Sequence, residues 1–146
     1  MLVSDLLRQK GTHVITAPAT ATCREALAKL VENRIGAVLL VDDDGLPQGI
    51  ITERDFLRLT YESSHALESL PVSEVMTRNL LVGLPTDDLE YLMGVMTKNR
   101  LRHVPIVSGR ELAGIISIGD VVKAMLRETQ ITNRYLSDYI SGKYTG

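Results

Sequence analysis

The chain has 146 residues, of which 45% are hydrophobic and 23% charged, and this composition excludes a disordered chain and a coiled coil. Its net charge of −2 at pH 7 excludes a polybasic binder of nucleic acid. No apolar run is long enough to span a bilayer, and a single cysteine excludes an intramolecular disulfide and a cysteine-built zinc site. Because the first residues also lack the basic start and apolar core of a signal peptide, we expect a cytoplasmic protein that contacts no membrane.

One unit occurs twice in the sequence. Three stretches recur in the same order, and they align as Val3–Leu7 with Val72–Met76, Asn33–Val41 with Asn99–Val107, and Gly49–Asp55 with Gly114–Asp120. We therefore divide the chain into copy one (residues 1–66), copy two (67–128) and a tail (129–146).

The first half of each copy predicts a strand and a helix. The strands are expected over residues 13–16 and 80–82, and a proline turn follows, with Thr20 or Thr86 as the N-cap of the helix. In both helices the apolar residues recur at i, i+3, i+4 and i+7, which is one helix stripe. They are Cys23, Ala26, Leu27 and Leu30 in copy one, and Leu89, Leu92, Met93 and Met96 in copy two.

The second half of each copy predicts two strands and a closing helix. The elements are strands 37–41 and 49–51 with a helix from Asp55 onward, and strands 104–107 and 114–116 with a helix from Asp120 onward. The acidic run Asp42–Gly45 lacks the later Gly and Glu of a calcium loop, so it predicts a polar hairpin turn.

A unit of this size cannot bury both faces of a small sheet by itself. The predicted fold is therefore α/β (more strictly α+β), with two β-α-β-β-α repeats packed around a shared cleft by a pseudo-two-fold axis, plus a C-terminal helix. The tail carries apolar and tyrosine residues at helical spacing, and we expect this face to contact either a second subunit or the chain's own body. The apolar and tyrosine residues of this face are Ile131, Tyr135, Leu136, Tyr139 and Ile140.

The two copies resemble CBS motifs, named after cystathionine β-synthase, joined as the pair called a Bateman module. The resemblance rests on the signature Gly-Ile-Ile-Thr/Ser-x-x-Asp, found at Gly49–Asp55 and again at Gly114–Asp120, each after an Ile-Gly-Ala-Val or Arg-His-Val-Pro strand. It covers about residues 1 to 128 and looks like the small stand-alone bacterial type. It implies a non-enzymatic regulatory sensor that requires no cofactor, binds an adenosine nucleotide, forms a homodimer and acts on an unidentified protein in trans. AMP is the default ligand, with ADP, ATP, NAD or S-adenosylmethionine as alternatives.

Each signature ends in a Thr/Ser-x-x-Asp pattern, formed by Thr52 and Asp55 in copy one and by Ser117 and Asp120 in copy two. One interpretation is a capping box, in which the hydroxyl caps the helix and the carboxylate reaches back. The other is a nucleotide site, because a helix N-terminus suits a phosphate and a carboxylate can accept two ribose hydroxyls. The family resemblance implies the second use, with the aspartate on the ribose and the hydroxyl near the phosphate.

An adenine ring needs an apolar slot with backbone groups at its rim. Ile35, Gly36 and Ala37 suit such a slot in copy one, because small residues let a flat ring approach the backbone; Gly36 could equally just ease the helix-to-strand turn. The strand entrances near Thr16 and Asn79 are expected to complete the two slots.

Phosphates also need cations, and three residues are candidates. Arg54 lies inside the signature of copy one, while Arg102 and His103 lie at the head of a strand of copy two. Each either faces the shared cleft and neutralises a phosphate held by the other copy, or is a solvated surface charge. Since Arg102 and His103 are bulkier than their counterparts in copy one, the copies bind different ligands or only one is occupied.

Other functions are weaker interpretations of the sequence. We expect no catalytic residues and no metal site, since the histidines are scattered and no nucleophile elbow or phosphate-binding loop is complete. A basic patch ending at His103 lacks interleaved aromatic residues, which makes nucleic acid an unlikely partner. The main alternative to nucleotide sensing is a structural or interaction dimer whose cleft holds no ligand.

Overall fold

The computed structural model describes residues 1–11, 13–62 and 66–140, with side chains for all of these except 130–133 and 135–140. In chain order the elements are α1 (Val3–Lys10), β1 (Thr16–Pro18), α2 (Cys23–Asn33), β2 (Ala37–Val41), β3 (Pro47–Thr52), α3 (Glu53–Glu62), a 3-10 turn (Val72–Glu74), α4 (Leu89–Asn99), β4 (His103–Ser108), β5 (Glu111–Ser117) and α5 (Ile118–Ile140). The predicted mixed fold with two repeats is confirmed.

The two sheets differ in size. In copy one β1 runs parallel to β2, which pairs with β3 in antiparallel fashion, whereas copy two has only the antiparallel pair β4 and β5. The strand predicted over 80–82 is therefore wrong. In the described chain the backbone hydrogen bonds between this segment and β4 are those of Gly83, whose N–H donates to the Pro105 carbonyl at 2.9 Å.

Two prolines explain the missing strand. Extending the parallel ladder on either side of Gly83 would need an N–H from Pro105 and another from Pro85, and proline has neither. Copy one has Leu39 and Ala19 at the equivalent positions, and the N–H of Ala19 does donate to the Val41 carbonyl. The parallel ladder between β1 and β2 can therefore form in copy one. The equivalent ladder along β4 cannot form in copy two.

The helix stripes face the core as predicted, with Leu27 and Met93 half-buried and the other members buried, but both helices begin later than expected. Thr22, not Thr20, caps α2 by accepting from the Glu25 N–H at 3.2 Å, and Asp88, not Thr86, caps α4 by accepting from the Glu90 N–H at 2.9 Å. In copy one the N–H of Ala21 donates to the Pro18 carbonyl, so a turn occupies the residues before the cap and delays the helix.

The acidic run forms the hairpin turn that the sequence predicts. Asp42 Oδ1 accepts the N–H groups of Asp44 and Leu46, both at 2.9 Å, so this carboxylate closes the turn between β2 and β3. Within the described ranges no three His, Cys, Asp or Glu side chains are grouped as a metal ion would require.

The copies exchange their leading segments. Val3, Leu6 and Leu7 of α1 belong to the core of copy two, while Val72 and Met76 belong to the core of copy one. The exchange depends on the glycine that begins each signature. A Cβ on Gly49 would lie 2.5 Å from Met76 Sδ, and a Cβ on Gly114 would lie 2.6 Å from Leu7 Cδ2. Each glycine thus lets the other copy's leading segment lie against the strand.

A third core cluster joins the two sheets. Ala37, Leu39 and Ile50 of copy one are buried in it, and Leu112 and Ile115 of copy two pack against them. Both signatures contribute to this cluster, through Ile50 in copy one and Ile115 in copy two.

The last helix continues past copy two. α5 is one helix of 23 residues, so the predicted C-terminal helix extends the closing helix of copy two without a break. The side chains of the predicted tyrosine face lie outside the described residues. None of the helices in the part of the chain that the structure describes combines the length and hydropathy needed to cross a bilayer.

Candidate functional site

The signature of copy one makes a tight corner where β3 turns into α3, and we call Thr52 and Asp55 corner one. The N–H and the hydroxyl of Thr52 both donate to Asp55 Oδ2, at 2.9 and 3.1 Å, and Thr52 Oγ1 accepts the Asp55 N–H at 3.3 Å. This is the predicted capping box. It engages Oδ2 only, and no hydrogen bond to Asp55 Oδ1 occurs among the described residues, so this oxygen can still accept from a ligand.

The signature of copy two repeats the geometry, and Ser117 and Asp120 are corner two. The Ser117 N–H donates to Asp120 Oδ2 at 2.8 Å, and Ser117 Oγ accepts the Asp120 N–H at 3.1 Å. The second donor to Oδ2 is different: it is the ammonium of Lys10, at 2.5 Å, where corner one uses a hydroxyl. As in corner one, Oδ1 has no hydrogen-bond donor within the described chain.

Lys10 is the site residue that the sequence analysis missed. Its Nζ also donates to the Ile115 carbonyl at 2.5 Å, so two groups of copy two hold it in place. Burial acts to raise the pKa of Asp120, but the hydrogen bonds from Lys10 and Ser117 outweigh it and hold this pKa below the usual value. No local motif marks Lys10, because it reaches corner two only through the exchange of leading segments.

His103 lies between the two copies. Its Cε1 and Nε2 are 3.6 Å from where a Cβ on Gly36 would sit, and in β4 it pairs with Ser117 of corner two. Its Nδ1 is buried and has no hydrogen-bond partner in the described chain. Burial lowers the pKa of His103, with the Lys10 charge acting the same way and Asp120 and Glu53 opposing it. This lowered pKa favours the uncharged ring at neutral pH, and the phosphate-neutralising role of His103 stays a prediction.

The other predicted residues differ in how close they lie to the corners. Ala37 pairs with Thr52, and the carbonyl of Gly36 accepts the Glu53 N–H at 3.0 Å, so both adjoin corner one. With Ile35, Gly36 also lines a cavity of 430 Å³ between α2 and α3.

Four predicted residues form no side-chain hydrogen bond to either corner in the described chain. Two of them adjoin the corners through the backbone: Arg54 lies between Thr52 and Asp55 in the chain, and the Arg102 carbonyl accepts the Ile118 N–H at 2.8 Å. Thr16 is half-buried and pairs with Leu39 in the sheet. The side chains of Arg54 and Arg102 are exposed and form no ion pair among the described residues, so both alternatives for them stay predictions. Asn79 is exposed as well.

Comparison with known proteins identifies the family. The CBS domain model matches residues 3–62 and 72–127. A mitochondrial CBS domain-containing protein of Arabidopsis thaliana is 31% identical over 97% of this chain and 73% of its own length. The CBS-domain containing protein ATU1752 of Agrobacterium tumefaciens is 42% identical, with a TM-score of 0.81 over 86% of this chain and 99% of that one.

Two further solved structures contain adenosine ligands. The CBS domain protein PAE2072 of Pyrobaculum aerophilum, complexed with AMP, is 30% identical, with a TM-score of 0.74 over 82% of this chain and 89% of that one. The CBS domain pair of protein MJ0100, in complex with 5′-methylthioadenosine and S-adenosyl-L-methionine, is 26% identical, with a TM-score of 0.76 over 88% of this chain and 98% of that one. With both copies matched by one family model and arranged as in these structures, the chain belongs to the CBS domain family as a pair of CBS domains.

Proposed function

We propose that this CBS pair is a cytoplasmic regulatory module that binds an adenosine nucleotide at its corners and acts on a partner protein in trans. The observation that carries the proposal is the shared geometry of the corners: an aspartate whose Oδ2 closes a capping box and whose Oδ1 accepts nothing in the described chain, beside the start of a helix. AMP is the default ligand, and ADP, ATP, NAD and S-adenosylmethionine are the alternatives. The adenosine ligands of two relatives support this class.

The capping box and a ligand are compatible at these corners. Because capping uses one oxygen of Asp55, the other is available to a ribose hydroxyl. The N–H of Arg54 in the first turn of α3 has no acceptor in the described chain and suits a phosphate oxygen. The imidazole of His103 lies next to Gly36 through Cε1 and Nε2, and its buried Nδ1 has no hydrogen-bond partner in the described chain, so the ring nitrogens of His103 are candidates for the polar edge of a base.

The proposed output is a change in packing, not a chemical reaction. A ligand that contacts both copies stabilises the arrangement in which they lie closest, and a partner that prefers this arrangement then binds more tightly. Purified protein is expected to bind ATP or AMP without turnover. Hydrolysis that copurifies with the chain and disappears in Ser117→Ala would contradict this part of the proposal.

We also propose that the module is a homodimer. The closing helices carry exposed apolar side chains at equivalent positions of the repeat: Leu57 and Tyr61 in α3 are 72% and 91% exposed, and Val122 and Leu126 in α5 are 46% and 55% exposed. A two-fold axis would let this surface cover itself. We expect light scattering to give twice the chain mass of 16.1 kDa, and the double variant Leu57→Glu/Tyr61→Glu to give the single mass. Val82→Glu, at an exposed apolar residue outside these helices, is the control.

Thermal unfolding against a nucleotide panel tests the proposal. A ligand that binds only the folded state raises the melting temperature with its concentration. We expect the best nucleotide to do so for the natural chain and for Asp43→Asn/Asp44→Asn, a control of equal charge change in an exposed turn, and to lose most of the effect in Asp55→Asn/Asp120→Asn. If no nucleotide shifts the transition, the ligand-free interaction dimer is the better account.

A further inference from the structure

Corner two lies beside a small pocket that carries basic side chains. This pocket has a volume of 180 Å³ and lies between α1 and α5, and we call it the basic pocket. Asp120 is in its wall, together with Lys10, Lys123 and Arg127. Three cationic side chains against one carboxylate leave two positive charges in excess, in a concave space that adjoins the carboxylate of the corner.

Lys10 is held where an anion can use it. An ammonium has three N–H donors, and Lys10 directs two of them at Asp120 and at the Ile115 carbonyl, which leaves one. Lys123 and Arg127, one helix turn apart on α5, form no ion pair within the described ranges, so their charges are not neutralised there.

The equivalent positions of copy one carry no such excess. The repeat aligns Asp120 with Asp55, Lys123 with Arg58 and Arg127 with Glu62, while the leading segment of copy two places Arg78 and Asn79 in line with Gln9 and Lys10. Their charges cancel, and the Arg78 guanidinium donates to the Ser73 carbonyl of its own segment. The two corners therefore share their capping geometry and differ in charge.

We propose that the basic pocket binds the phosphate chain of a nucleotide di- or triphosphate, so that corner two prefers ATP or ADP over AMP while corner one does not discriminate by phosphate number. This inference rests on the proposed function for the ribose, and on the basic pocket for the phosphates. Charge-assisted hydrogen bonds from Lys and Arg are the usual means of holding such a chain, and each added phosphate contributes further charge.

Calorimetric titration with tripolyphosphate tests the basic pocket without any adenosine. We expect the natural chain to bind it, Lys123→Gln/Arg127→Gln to weaken binding about 10-fold or more, and Arg58→Gln, the matched change in copy one, to leave it within about twofold. Equal binding by Lys123→Gln/Arg127→Gln and the natural chain would overturn the proposal.

Titration of ATP and AMP into single-corner variants tests the nucleotide part. In Asp55→Asn, where only corner two is intact, ATP is expected to bind about 10-fold more tightly than both AMP and tripolyphosphate. In Asp120→Asn/Lys123→Gln/Arg127→Gln, which removes the cations of the basic pocket as well, ATP and AMP are expected to bind alike. Equal ATP and AMP affinities in both variants would overturn the inference and leave the proposed function standing. Tripolyphosphate binding as tight as that of ATP, together with no binding of AMP by either variant, would instead support the pocket and contradict the proposed function.

Discussion

At one equivalent position of β3 and β5, the backbone carbonyl group accepts a hydrogen bond from a different kind of donor. In β3 the Ile50 carbonyl accepts the backbone N–H of Thr77 at 2.9 Å, whereas in β5 the equivalent Ile115 carbonyl accepts the ammonium of Lys10. The reason lies in the exchanged segments: α1 stays helical through Lys10, while the other segment leaves its 3-10 turn after Glu74 and runs along β3. Two nearly identical signatures thus acquire different charge from the segment that lies against each of them.

We expect the largest effect on the free energy of unfolding from substituting the glycines against which these segments pack. Gly49→Ala should destabilise the fold by about 2–3 kcal/mol and Gly114→Ala by about 1 kcal/mol, because an added methyl group overpacks both contacts. The difference arises because Leu7 can move its side chain, whereas a Cβ on Gly49 meets Met76 and also the Thr77 carbonyl, 3.0 Å away. Urea unfolding at pH 7 measures both. An equal loss in the two variants would contradict the asymmetry.

Removing the Lys10 ammonium should have the next largest effect. Lys10→Met is expected to cost about 1 kcal/mol at pH 7, and Lys123→Met, which removes an unpaired lysine, should cost less. The pKa of Asp120 is lower in the folded chain than its ordinary 3.8, so the stabilisation by this carboxylate is present above that value and is lost as the pH falls through the folded-state pKa. The stability difference between the natural chain and Lys10→Met should therefore shrink in acid. A difference that stays constant down to about pH 2 would count against the ion pair.

A smaller effect is expected from His103. Because its pKa is lowered from 6.5, the unfolded chain binds a proton first as the pH falls, and the fold loses stability from that value down to the folded-state pKa. His103→Ala reproduces Ala37, its counterpart in copy one, and should remove this slope between about pH 7 and 5. Unfolding titrations at several pH values give the slope directly, and identical slopes in both proteins would show that His103 is not held neutral.

The smallest effect is expected at the ends of α2 and α4. Arg34 and Arg100 adopt left-handed backbone conformations, with φ of 53° and 55°. Glycine adopts this conformation without a Cβ penalty, so Arg34→Gly and Arg100→Gly should each stabilise the chain by about 0.5–1 kcal/mol. A shift of the melting temperature upward in both variants is the expected readout, and a downward shift would indicate that these arginines make stabilising contacts.

The sequence predicts the parts of the fold that depend on local periodicity. The stripe from Cys23 to Leu30 and the strand-to-helix corner at Thr52 are local patterns, and both are present in the structure. The missing strand around Gly83 was readable as well, since the prolines that prevent it are in the sequence. Lys10 was not, because it meets Asp120 across 110 residues and only after the copies exchange their first segments.

The charge state of a side chain was also beyond local reasoning. His103 follows an arginine and resembles a phosphate-binding cation in sequence, but its neutrality depends on burial against Gly36 of the other copy. Burial of this kind is a property of the packed pair and not of the strand that carries the residue.

Calorimetric titration of AMP into the natural chain and into Asp55→Asn/Asp120→Asn tests the central claim that the two aspartates hold the ligand. Asparagine keeps the shape of the corner and removes the charge, so the fold should persist while AMP affinity falls by about 10-fold or more, the equivalent of one or two charge-assisted hydrogen bonds. A folded double variant that binds AMP with unchanged affinity would show that the nucleotide site lies elsewhere.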